Sequence, residues 1–227
     1  MSDANPFHNA VVAQDWIETV EGGKGRVREA DIYPRLRDWV AKVNPRELLE
    51  IGAGQGVCSA QLDLRGRRYV GLEPSETLVE RARNRHGGSE RTFVVGSVYS
   101  LPFADSAFDA AYAVAVWHLL GDLPAAAREL RRILRPGGAF LLITANPGGY
   151  STWRSFYAEG REDGVRFEGL VRKPGGVEWR EVFFLHPPEV LRGSLTDAGL
   201  ELTESATFRH GPDERDVFLS LSGRRPV

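Results

Sequence analysis

Between residues 46 and 145, short apolar runs alternate with amphipathic, charge-bearing segments, and this alternation restricts the chain to few folds. The runs Glu47–Ile51, Arg68–Leu72, Thr92–Val95, Ala110–Val116 and Ala139–Thr144 are bounded by Gly, Pro or Asp and are too short for helices, so they read as buried strands. Between them, Ser75–Arg85 carries Leu78, Val79 and Ala82 at helical spacing behind a Ser75 N-cap. Leu123–Leu134 repeats Leu130, Ile133 and Leu134 and is stopped by Pro136-Gly137-Gly138. Strands and helices at this pitch imply right-handed crossovers and a doubly wound, mostly parallel α/β sheet.

The flanks extend this core. Residues 8–43 read as two helices with apolar faces at Trp16, Ile17 and Val20 and at Tyr33, Leu36, Trp39 and Val40, joined at Gly22-Gly23-Lys24-Gly25. After the fifth strand, 146–164 is a mixed segment. Val165–Val171 and Val177–Leu185 then alternate like a β-hairpin around Arg172–Gly176. Pro187–Gly199 reads as a helix, and Leu200–Thr207 and Val217–Leu221 as closing strands with Pro212-Asp213 between them. A chain of 227 residues is expected to form one domain (1–227): a helical cover over 8–43, a core over 46–145, an insertion over 146–186 and closing elements over 187–222.

The chemistry concentrates where the first strand ends. Glu50-Ile51-Gly52-Ala53-Gly54-Gln55-Gly56 allows a sharp turn and a close backbone approach to a ligand, and a helix is expected to start behind it. Twenty-one residues after Gly52, Glu73 ends the second strand, where a carboxylate can accept from both ribose hydroxyls. Together these indicate an adenosine-bearing cofactor at a topological switch point. The dinucleotide fingerprint needs a small third residue, but Val57 stands there, which disfavours NAD or FAD. Glu50 suits a cationic or N–H-rich ligand better than a pyrophosphate.

On these residues the chain resembles the class I S-adenosylmethionine-dependent methyltransferases, and within them the branch that includes ubiquinone and menaquinone biosynthesis enzymes and many small-molecule methyltransferases. The first motif is matched by Glu50, Gly52, Gly54 and Gly56, and the ribose acid by Glu73 in Gly71-Leu72-Glu73-Pro74-Ser75. Gly96-Ser97-Val98 through Asp109 matches the loop after the third strand, and Leu134–Gly138 the turn into the fifth. The resemblance implies a Rossmann-like sheet of seven strands with the last antiparallel, helices on both faces, an N-terminal helical cover and a hairpin lid after strand five. It implies S-adenosylmethionine as cofactor, S-adenosylhomocysteine as product, and a cofactor site that includes Ala53, Pro74, Ser75, Ser97, Val98, Ala113 and His118. Ser97 stands where the family usually has an acid for the adenine amino group, which leaves adenine to the Val98 amide. The Asn/Asp-Pro-Pro-Tyr/Phe signature of amino-methylating nucleic-acid enzymes is absent, its place taken by Tyr112–His118.

Methyl transfer from a sulfonium needs no metal, and none is expected. An acceptor that must lose a proton calls for a base near neutrality. His118, just beyond the fourth strand, is the candidate general base, with a structural histidine lining the cofactor pocket as the alternative. His186 could reach in from the lid, whereas His8, His86 and His210 read as surface residues. Trp153, Phe156, Tyr157, Phe167 and Trp179 form either the cover of an acceptor pocket or a satellite core. Arg28 either binds the methionine carboxylate of the cofactor or is a solvated helix-face residue.

Twenty-nine basic against thirty-one acidic residues, with lysine only at 24, 42 and 173, give no field that would recruit nucleic acid. Cys58, the sole cysteine, excludes intrachain disulfides and cysteine zinc sites, and reads as a packing residue rather than a nucleophile. No signal segment or membrane-length apolar run occurs, so a cytoplasmic location is expected. A small-molecule acceptor is the expected partner, and a homodimer is compatible with the sequence. The rival functions are an NAD-dependent oxidoreductase and a non-catalytic S-adenosylmethionine-binding protein.

Overall fold

The computed structural model describes residues 6–22, 28–155, 157–173, 176–209 and 216–227, apart from the side chains of residues 152 and 153. The core strands are β1 (Glu47–Ile51), β2 (Arg68–Glu73), β3 (Arg91–Val95), β4 (Phe108–Val114) and β5 (Leu134–Ala145), followed late in the chain by β9 (Glu201–Arg209) and β10 (Asp216–Arg224). Their order in the sheet is β3-β2-β1-β4-β5-β10-β9. β1 to β5 pair in parallel, and β10 runs antiparallel to both neighbours, as expected of the last strand.

Adjacent residues of β1 serve opposite faces. Leu49 and Ile51 join the core under helices α4 (Leu123–Ile133) and α6 (Pro188–Asp197), which supply Ala126, Leu130, Leu191 and Leu195. Leu48 joins the opposite core with Leu36 and Val40 of α2 (Tyr33–Val43) and Val79 and Ala82 of α3 (Glu76–His86). Both faces are therefore covered, as a parallel sheet requires. The Ser75 hydroxyl caps α3 at the Leu78 amide, and Asp122 caps α4 at the Ala125 amide. Ahead of α2 stand α1 (Ala10–Glu21), capped by Asn9, and one π-helical turn over Arg28–Ile32. The Gly23–Gly25 part of the joint and the Pro212-Asp213 turn lie outside the described residues.

Two expectations need correction. Among the described residues no α-helix follows the glycine loop; the chain from Gly52 to Arg67 holds only a 3₁₀ turn over Ser59–Gln61, so the loop amides have no helix behind them and Cys58 is not helical. Val57, Cys58 and Ser59 are weak helix formers. The fourth strand ends at Val114 rather than Val116, because Ala115 turns left-handed (φ 59°). The lid hairpin forms as expected and is extended by a third antiparallel strand. β7 (Arg166–Arg172) and β8 (Glu178–Phe184) lie where alternation predicts them, and β6 (Glu159–Asp163) adds an edge strand. Its sequence, Glu-Gly-Arg-Glu-Asp, is exposed throughout and carries no period-2 apolar signal. A five-residue helix α5 (Tyr150–Arg154) leads into it.

Candidate active site

The carboxyl ends of the parallel strands meet where the sheet order reverses between β1 and β4. The amides of Gly52 and Ala53 both donate to the Leu72 carbonyl, at 2.8 and 2.9 Å, folding the glycine loop over the end of β2. Gly52, Gly54 and Gly56 all have positive φ (73°, 54° and 83°). Their surroundings differ. A Cβ on Gly52 would come within 2.3 Å of Val116 Cγ2 and one on Gly56 within 2.9 Å of the Phe93 ring, whereas one on Gly54 would meet nothing within 4 Å. Two glycines are needed for packing, and the third borders open space.

Glu73 is buried at the rim of that space. Its Oε2 accepts the Gly54 amide at 3.1 Å and its Oε1 the Ser75 amide at 3.0 Å. Burial pushes its pKa up to about 7 against these two hydrogen bonds. Each carboxylate oxygen keeps a further lone pair, so the group can still accept from a diol. Pro74 is half-buried beside it, and the buried Ser75 hydroxyl donates to the Phe7 carbonyl, which ties the N-terminal segment to this rim. In the loop itself, the Gln55 side chain is buried and its Nε2 has no acceptor among the described residues. Sequence reasoning missed Gln55, because a glutamine between glycines looks solvated.

Glu50 is fully enclosed. Its Oε2 accepts from the Tyr69 and Tyr112 hydroxyls, the latter at 2.9 Å, and both tyrosines sit on the strands that flank β1. Burial raises its pKa to about 7, while hydrogen bonds from Tyr69, Tyr112 and Cys58 and the charge of Arg28 lower it. Arg28 thus lies close enough to influence Glu50, with its guanidinium carbon 6.0 Å from the centre of the Trp16 ring. Cys58 is buried, and desolvation and Glu50 push its thiol pKa up, consistent with packing rather than nucleophilic chemistry.

Beyond the end of β3, Val98 is buried while Ser97 is exposed and accepts the Tyr99 amide at 3.2 Å. Ala113 is buried in β4, opposite Ile51. Past the left-handed Ala115, His118 lies half-buried beyond the end of β4. Its backbone amide donates to Thr144 Oγ1 at 3.0 Å, and its Nδ1 lies 3.1 Å from the same oxygen. Desolvation lowers its pKa to about 4, so the ring is neutral at pH 7 and does not have the near-neutral titration expected from the sequence.

The lid closes over this edge. The Phe183 ring lies 6.4 Å from the His118 ring, and Tyr157 stacks on Phe183 at 5.6 Å, with Phe167 packed against both. His186 is buried and bonds the Leu120 carbonyl through Nε2 at 2.8 Å, so it anchors the lid and holds that nitrogen away from any acceptor. Trp179 packs against Phe7, Val12 and Ile17 near α1. The Trp153 side chain and Phe156 lie outside the described residues. Of the remaining histidines, His8 is exposed, His86 is half-buried, and His210 lies outside the described residues. No cluster suited to a metal ion occurs among the described residues, and no described helix is long and apolar enough to cross a membrane.

Residues 49–142 match the family described as a methyltransferase domain. The chain is 36% identical over 109 residues to a fatty-acid O-methyltransferase from Mycolicibacterium smegmatis, covering 47% of this chain and 40% of that protein. It is 31% identical over 120 residues to a malonyl-[acyl-carrier protein] O-methyltransferase from Serratia marcescens, covering 53% and 46%. The chain therefore spans less than half the length of these curated relatives. Among solved structures, the PH0226 protein from Pyrococcus horikoshii superposes with a TM-score of 0.73 at 17% identity, covering 92% of this chain and 96% of that one. The CcbJ methyltransferase from Streptomyces caelestis superposes with a TM-score of 0.69 at 21% identity, covering 98% and 99%. These likenesses show the fold, a Rossmann-like sheet.

Proposed function

We propose, from the match of residues 49–142 to the methyltransferase-domain family, that this chain transfers the methyl group of S-adenosylmethionine to a small-molecule acceptor. The observation that carries the reading is Gly54: its amide is fixed by Glu73 while its missing Cβ would point into open space at the switch point. The residues suit the cofactor. Glu73 offers acceptors to ribose hydroxyls, the Val98 amide and Ser97 lie at the adenine end, and the orphaned Gln55 amide and Arg28 offer donors to a methionine carboxylate. Glu50 supplies negative charge nearby. When bound, the cofactor supplies an activated methyl on a sulfonium, so an acceptor lone pair forms the new bond while the carbon–sulfur pair leaves with sulfur.

The remaining chemistry falls to alignment and proton handling. Thr144 Oγ1 accepts the His118 amide and lies 3.1 Å from His118 Nδ1, which fixes the ring's orientation. We place His118 as a neutral hydrogen-bonding group beside the reacting atoms and not as a base titrating near neutrality. Tyr157 and Trp179 line the acceptor side under the lid, with Phe183 between them and His118. The near-balanced charge supports a small molecule over nucleic acid, and the reading includes a cytoplasmic location.

The test is ligand-dependent unfolding. At a hundredfold excess over its dissociation constant, a native-state ligand adds about 2.7 kcal/mol. In a domain of this size that raises the midpoint by about 5–10 °C. S-adenosylhomocysteine is expected to do so and NAD to have almost no effect. A shift with NAD alone would return the chain to the oxidoreductase reading, and binding without turnover on any acceptor would favour a non-catalytic binder.

A further inference from the structure

The inner face of the lid carries a carboxyl that the reaction described above does not use. Trp179, Glu181 and Phe183 alternate along β8 and so share one face, opposite Val171, Gly169 and Phe167 of β7. Phe183 reaches the His118 end of that face, and Trp179 reaches the N-terminal helix. Glu181 lies between them. Tyr157 occupies the space above Gly169, where a Cβ would come within 2.2 Å of its ring, and its hydroxyl donates to Glu181 Oε2 at 3.1 Å.

Glu181 forms no ion pair among the described residues. Several lid cations are engaged elsewhere: Arg166 and Arg180 with Glu168, Arg172 with Glu159 and Glu178, and Lys173 with Asp15 of α1. The Lys173 ammonium also lies 5.7 Å from the Trp179 ring centre, and Arg154 donates to the Tyr157 carbonyl and lies 5.6 Å from the Phe167 ring centre. Desolvation pushes the Glu181 carboxyl above the usual range, with the Tyr157 hydrogen bond as the only opposing contribution. Two residues along, Trp179 Nε1 is buried without a hydrogen-bond partner among the described residues. This face therefore combines aromatic walls, a carboxyl without a cation and an unused donor.

Ring faces attract a cation, and a desolvated carboxylate gives it a charge-assisted hydrogen bond. A carboxylate ligand would instead meet like charge in a water-poor space. We propose that Glu181, oriented by Tyr157, recognises the methyl acceptor, and that this acceptor carries a positively charged amine at some distance from its nucleophilic atom. That sets it apart from the fatty-acid and malonyl acceptors named for the sequence relatives. The proposal rests on the methyltransferase reading and deepens it.

The test uses four ligands of matched shape: tyramine, its N-trimethyl derivative, the neutral alcohol tyrosol and 3-(4-hydroxyphenyl)propanoate. Binding to the full chain is followed by calorimetry with saturating S-adenosylhomocysteine. The two ammonium ligands are expected to bind at least tenfold more tightly than the other two. Glu181→Gln should remove most of that preference, and Tyr157→Phe part of it, while both variants keep the thermal shift with S-adenosylhomocysteine. Equal or tighter binding of the neutral or anionic ligand, no binding of either ammonium ligand, or an undiminished preference in Glu181→Gln overturns the proposal. If Glu181→Gln does not fold, the wild-type comparison and Tyr157→Phe decide. The S-adenosylhomocysteine shift read alone tests the methyltransferase reading, so failure of one is distinguishable from failure of the other.

Discussion

Glu73 holds the backbone amide of Gly54 at 3.1 Å, joining the end of β2 to the glycine loop that leaves β1. One carboxylate therefore both shapes the loop and faces the ligand, and its removal has two separable effects.

Glu73→Gln isolates the charge. The folded pKa of Glu73, about 7, lies above the reference of 4.5, so the native state binds the extra proton between these values. Wild-type stability from this group consequently falls as pH rises from about 4.5 through 7, and the full penalty is present above that. Denaturation midpoints of the two proteins should diverge in favour of Glu73→Gln across this window. Parallel curves would show that Glu73 is not desolvated. In the same variant, S-adenosylhomocysteine should bind about tenfold to a hundredfold more weakly, the worth of a charged hydrogen bond.

The glycines should separate folding from binding. Gly52→Ala places a Cβ 2.3 Å from Val116 Cγ2 at a positive φ, so loss of stability by about 2 kcal/mol or more is expected in thermal melts. Gly54→Val meets no protein atom with its Cβ and should cost mainly backbone strain, about 1–2 kcal/mol, while abolishing measurable S-adenosylhomocysteine binding. The reverse pattern would move the ligand away from Gly54.

For His118, the pH–rate profile is decisive. A ring whose pKa is lowered to about 4 contributes no inflection between pH 6 and 8. His118→Ala should reduce turnover by about tenfold to a hundredfold, the loss of one hydrogen bond to a charged centre, with little change in cofactor affinity. A wild-type inflection near 6.5 that disappears in His118→Ala would restore the general-base role.

The lid is tied at two points, His186 to the Leu120 carbonyl and Lys173 to Asp15 and Thr19 of α1. Lys173→Ala removes the half-buried tie and should raise the acceptor KM by several-fold while leaving the S-adenosylhomocysteine dissociation constant unchanged. A change in both would mean that the lid also shapes the cofactor site.

The sequence determined the elements that generate a local signal. Five core strands declare themselves as apolar runs because both faces of a parallel sheet are covered, and Glu50, the three glycines and Glu73 are legible because turn geometry and strand ends leave fixed spacings. The exposed edge strand β6 gives no such signal, and no α-helix forms after the glycine loop where the motif suggests one. Ionisation was decided only by the tertiary structure. Glu50 is enclosed by tyrosines 19 and 62 residues away, His118 is set by Thr144 26 residues away, and Glu181 becomes a desolvated carboxyl because Tyr157 covers it. Desolvation depends on what packs over a group, and that packing exists only once distant strands and the lid have come together.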